Sequence, residues 1–137
     1  MTSPTSLLAP VTVTQDTALL ERSARYADSA GWLTRRSRRT EDERFVPYVA
    51  LRDLFGDAVK LGDHDTPVAL TSRDVVDHCL ALTRERPLAL FVEQAHWADR
   101  SSLKVLVHLS RWVSVMPLLM VLVADDDATP DVAALFA

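Results

Sequence analysis

Residues 87–127 read PLALFVEQAHWADRSSLKVLVHLSRWVSVMPLLMVLVADDD. Two continuous apolar runs stand in this stretch, LALFV from Leu88 and LLMVLVA from Leu118. Each has strand length and no polar alternation, the mark of a strand buried on both faces. Between them Asp99 or Ser101 caps a helix whose Leu103, Leu106, Val107 and Val113 face inward. Strand, helix, strand in this order is a parallel crossover, so the fold class is α/β: three layers around a mostly parallel sheet. Ligands of such sheets sit beyond the carboxyl ends of the strands. Those ends are Glu93-Gln94 and Asp125-Asp126-Asp127, and a site is expected there.

The rest of the chain extends the pattern. Thr71 is expected to cap a helix with Val75, Val76, Cys79, Leu80 and Leu82 on its apolar side, Asp74 near the positive end of its dipole, and Pro87 as its stop. Pro47 opens a helix in PYVALRDLFG, because a first-turn position needs no backbone donor; Gly56 and Gly62 bracket its end. Leu19, Leu20, Ala24 and Ala27 form one face of a helix from Thr17 to Ala30, with Gly31 as the stop. GWLT holds a short strand, and RRSRRTEDER reads as an exposed polar loop.

The chain has 137 residues, and one domain spanning 1–137 is the natural count, with residues 1–9 expected to be poorly ordered. Fifteen Lys and Arg stand against 19 Asp and Glu, a net charge of −4, which argues against a dedicated nucleic-acid binder. The cations Arg35, Arg36, Arg38 and Arg39 are followed by Glu41, Asp42 and Glu43, so the run favours a solvated loop over phosphate contacts. Cys79 is the single cysteine, too few for an internal disulfide and in keeping with a reducing cytoplasm. MTSPTSLLAP carries no positive charge before its short apolar run, unlike a signal peptide. Trp112–Ala124, the longest apolar stretch, is shorter than a bilayer span and is interrupted by Pro117. A cytoplasmic protein without membrane contact is expected.

The stretch from Pro87 to Trp112 resembles the Walker B region of the ATPase domains of large LuxR-type transcriptional regulators, in the AAA+ and STAND branch of the P-loop NTPases. Their pattern is a Pro, an apolar strand, two acids, one apolar residue, His-Trp-Ala-Asp and a helix; His96-Trp97-Ala98-Asp99 matches it residue for residue. RFVPYVALRDLFG resembles the family's helix after strand two, and ALLERSARYADSAG its first helix. The resemblance covers about Pro10 to Ala137. It implies a P-loop NTPase-like fold binding ATP and Mg²⁺, cut short after the fourth strand. A fifth strand, a helical lid and a helix-turn-helix would follow in the family. Without the fifth strand the first becomes an open edge, which Pro10 blunts.

The resemblance also fixes where the chain departs from the family. The first Walker B acid holds Mg²⁺ and the second polarises water; here they are Glu93 and Gln94. Gln94 cannot ionise and cannot be a base. With Thr17 as the Thr of G-x-x-x-x-G-K-[ST], Pro10 and Gln15 replace the glycines and Asp16 the lysine. None of the three glycines, at 31, 56 and 62, lies nearby, and Val11–Thr14 favour extended backbone over a phosphate cradle. A charge pair at about 4 Å in an effective dielectric near 20 is worth about 4 kcal/mol. Asp16 turns that attraction into repulsion, against a total of about 8 kcal/mol for a micromolar ligand. Where the family often reads Ala-Thr-Tyr-Arg, this chain has Ala124-Asp125-Asp126-Asp127. Asp16, Thr17, Glu93, Gln94, Asp125 and Asp127 are thus degenerate nucleotide-site positions, with no catalytic and no metal residues.

Other constellations read as structural. His96-Trp97 reads as a packed turn rather than a switch. Asp74 and His78, one helical turn apart, lack a third metal ligand. Cys79 reads as a small core residue. His96, Asp99 and Ser101 share the letters of a triad but not the G-x-S-x-G elbow. Asp125–Asp127 point in different directions, which disfavours Ca²⁺. The expected function is a non-catalytic remnant of the LuxR-type ATPase module, a regulatory or protein-interaction module whose partner is a full-length regulator or another protein subunit. The alternatives are a regulator fragment that binds ATP when a partner supplies cations, and a gene remnant with no selected role.

Overall fold

A computed structural model describes residues 9–59, 61 and 67–137. The expected disorder of the first residues and the role of Gly62 fall largely or wholly outside that description. The elements are β1 (Val11–Thr14), α1 (Thr17–Ser29), β2 (Leu33–Arg38), α2 (Val49–Phe55), α3 (Val68–Leu82), β3 (Leu88–Glu93), α4 (Arg100–Ser110), β4 (Leu118–Val123) and α5 (Thr129–Leu135). Short 3₁₀ turns lie at Glu41–Glu43, Gly56–Ala58 and Ala95–Trp97.

The two apolar runs form the two central strands. All six residues of β4 are buried, as are Leu88–Val92 of β3. The sheet is all parallel, in the order β1-β4-β3-β2. Alternation along β3 and β4 divides the core in two. Leu88, Leu90, Val92, Leu118, Met120 and Leu122 face a cluster completed by α2, α3, α4 and Val132 of α5. Ala89, Phe91, Leu119, Val121 and Val123 face Leu20, Ala24 and Ala27 of α1. The domain is therefore a three-layer α/β fold with α1 on one face and the larger helical layer on the other. As expected of a sheet without a fifth strand, β1 is an edge: among the described residues it pairs only with β4. Pro10 stands just before it, and its carbonyl accepts the Met120 N–H at 2.7 Å.

The local signals agree with α1, which spans Thr17–Ser29 and is followed by Gly31 at φ +79°, and with the Asp99 cap of α4. Val11–Thr14 are extended and form β1, as their β-branching favours. Three expectations need correction. The arginine run is no solvated loop. Leu33–Arg38 pair with Leu88–Glu93 as β2, an edge strand on which Arg36 is paired with Glu21 and Glu93. Helix α3 starts after Pro67, not at Thr71, which lies buried on its inner side. Helix α4 buries Ser102, Val105, Leu106 and Leu109, leaving Leu103 and Val107 half-buried. Its rotation follows from Ser102, whose hydroxyl accepts the Leu51 N–H at 3.2 Å and must face inward to do so.

Candidate functional site

Parallel strands end together, and here they open on a cleft of about 690 Å³ lined by Gln15, Thr17, Arg38, Glu93, Gln94, His96, Val123, Ala124, Asp125, Asp126 and Asp127. Five of the six positions singled out from the sequence meet there: Thr17, Glu93, Gln94, Asp125 and Asp127. Asp16 does not line it. Only Gln15 and Asp16 connect β1 to α1, and Asp16 is the N-cap of that helix. Its Oδ1 accepts the Leu19 N–H at 3.2 Å, the type of donor that otherwise serves a bound anion.

Carboxylates dominate the cleft. Glu93 ends β3 opposite Arg38 of β2 in the pairing register. The guanidinium of Arg36 lies 3.4 Å from Glu93 and 2.7 Å from Glu21 of α1. That bridge holds the Glu21 carboxyl below its ordinary range, chiefly through the Arg36 hydrogen bond, and raises Arg36 in turn. Among the described residues Arg38 is the one guanidinium on the cleft wall. A loop assignment for the run gives Arg38 no such place. The signal was the alternation of Leu33, Arg35, Ser37 and Arg39 against Thr34, Arg36 and Arg38.

The turn after β3 is built by side chains reaching across the fold. Gln94 adopts φ +53°, so the chain leaves the strand direction abruptly and enters the 3₁₀ turn Ala95–Trp97, with Gln94 and His96 both on the cleft wall. Nδ1 of His96 accepts the Asp125 N–H at 3.3 Å, joining this turn to the loop after β4. Nε2 of His96 lies 3.1 Å from Asp125 Oδ2 but is not aligned for a hydrogen bond, and is otherwise buried. The His96 and Trp97 rings stack at a tilt, 4.8 Å apart.

Asp99 is 2% exposed and serves two helices. It accepts the Ser102 N–H of α4 at 2.9 Å, and the N–H groups of Tyr48 and Ala50, at the start of α2, at 2.7 and 3.1 Å. This accounts for Tyr48 at φ +60°: the left-handed backbone turns its N–H toward the carboxylate. Asp99 thus faces amides and His96 faces Asp125, so the triad letters do not converge. Asp74 is exposed, while His78 lies edge-on to Phe55 at 5.7 Å. Burial, and then Arg35, lower the pKa of His78. Among the described residues no group of three or more His, Cys, Asp or Glu is placed to hold a metal ion.

The fold and cleft define a parallel α/β domain with a carboxylate-rich opening at its strand ends. Comparison with family models, curated proteins and solved structures gave no match. Among the described residues no helix is long and apolar enough to cross a membrane.

Proposed function

We propose that this chain is a non-catalytic relative of the ATPase modules of large LuxR-type regulators, working as a regulatory or protein-interaction module. The observation that carries the reading is the link between β1 and α1. A phosphate loop wraps several backbone amides around a triphosphate before its helix begins. Here two residues make the passage, and the carboxylate of Asp16 already occupies a donor at the helix start. The residues present do not suit a nucleoside triphosphate with Mg²⁺. Glu93 is engaged by Arg36, Gln94 offers no base, and Asp125–Asp127 add negative charge where the phosphates would lie.

Calorimetric titration with Mg²⁺ and ATP tests this. The expected result is no binding in the micromolar range and no turnover. Micromolar binding, or turnover abolished by Glu93→Ala, would overturn the reading. Binding that appears only on mixing with a full-length regulator would favour the nucleotide-binding alternative.

A further inference from the structure

A second depression of about 620 Å³ lies between α4, α5 and the turn at residues 44–45. Its walls are apolar: Phe45, Ala98, Leu103, Val107, Val132 and Leu135. Leu103 and Val107 are the residues of α4 left half-buried by the inward turn of Ser102, so the apolar stripe of this helix is wider than the core it covers. Phe45 is 79% exposed and Leu135 50%; large apolar groups gathered around a groove mark an interaction surface more often than scattered ones do. The rim reverses the sign of the molecule. The chain carries −4 overall, yet Arg44, Arg100 and Lys104 border the groove against the single carboxylate Asp131. Arg44 reaches Glu41 only at 3.7 Å. Neither Arg100 nor Lys104 has an ion-pair partner among the described residues.

We propose that this groove docks an acidic amphipathic helix of a partner protein. Leu103 and Val107 stand one turn apart on α4, and Arg100 and Lys104 run beside them at the same spacing. A helix with an apolar stripe flanked by Glu or Asp matches both rows at once. A second copy docking the same face symmetrically would set three cations against three cations, which disfavours it. The proposal rests on the reading of the chain as an interaction module, and the nucleotide titration above tests that reading separately.

The probe is a fluorescein-labelled peptide of about 15 residues built from Leu, Ala and Glu, with Leu in helical spacing and Glu on both flanks. Its counterpart carries Lys in place of Glu. Fluorescence anisotropy is expected to show saturable micromolar binding of the Glu peptide, weakening as salt is raised, and binding of the Lys peptide at least about tenfold weaker. Phe45→Ser, and separately Arg100→Glu with Lys104→Glu, should each weaken the Glu peptide by about tenfold or more, and the charge reversal should invert the preference. All three positions are exposed, and unchanged thermal melts confirm that the variants fold; Leu135→Ser provides an independent groove variant. No saturable binding, equal binding of both peptides, or binding untouched by these variants would overturn the proposal. So would a dimer in sedimentation that Phe45→Ser dissolves, since a second copy would then be the occupant.

Discussion

Asp99 shows how a residue conspicuous in a motif can be structural in its chemistry. One buried carboxylate satisfies N–H groups at the starts of two helices, Val49–Phe55 and Arg100–Ser110, far apart in sequence. Charge-assisted hydrogen bonds of this type contribute about 1.5–3 kcal/mol each, and stranding their buried donors adds a cost. Asp99→Ala is expected to destabilise the fold by about 3 kcal/mol or more in urea unfolding. Asp99→Asn, which keeps one acceptor oxygen, should cost less. Equal stability of wild type and Asp99→Ala would refute this account. Cys79 allows a second test at the same scale. Burial pushes its thiol up to about 12, so the reactive thiolate is scarce at neutral pH. A disulfide reagent at pH 7 should leave the native thiol unmodified over hours and label it at once in denaturant. Rapid labelling of the native protein would count against a buried Cys79.

At the scale of elements, the informative pair joins β2 to α2. Just past the end of β2, Arg39 is 4% exposed. Its Nη2 donates to Asp53 Oδ2 at 2.6 Å, while Nε and Nη1 are buried without hydrogen-bond partners. A half-satisfied buried cation is costly, so the two sides of the pair should respond unequally. Asp53→Ala leaves the charge uncompensated and should lose about 3 kcal/mol, whereas Arg39→Met should fall within about 1 kcal/mol of wild type. Equal losses in urea unfolding would contradict this picture. The same region marks the limit of what could be read in advance. Central strands need apolar side chains on both faces, so LALFV and LLMVLVA announced themselves. An edge strand needs backbone pairing on one side only, and the partners of Arg36 and of the following Arg39 are Glu21, Glu93 and Asp53, residues remote in sequence. Five of the six candidate site residues were legible because parallel strands share one carboxyl end. Arg38 was not, because its place depends on the β2–β3 register. Asp16 was legible as a departure from a motif, but not as a helix cap, since capping depends on how short the connection from β1 turned out to be.

At the scale of the molecule, the sheet couples two unequal core layers. Trp32 packs against the α1 layer and Trp112 against the larger one. Both layers rest on β3 and β4, so neither can melt alone without exposing the shared strands. Two single-tryptophan variants, each with Trp97 and one other tryptophan changed to Phe, should therefore unfold at the same urea midpoint. Separate midpoints would mean that the layers are independent, and a broad, non-cooperative loss would favour a gene remnant. The pairing of β1 carries a further consequence for synthesis. Its partner β4 follows only after α1, β2, α2, α3, β3 and α4, with no hairpin to bring them together, so β1 must wait for a strand that is made far later. During that interval both of its backbone edges are open, and chaperones that shield nascent chains have their longest task at this short threonine- and valine-rich segment.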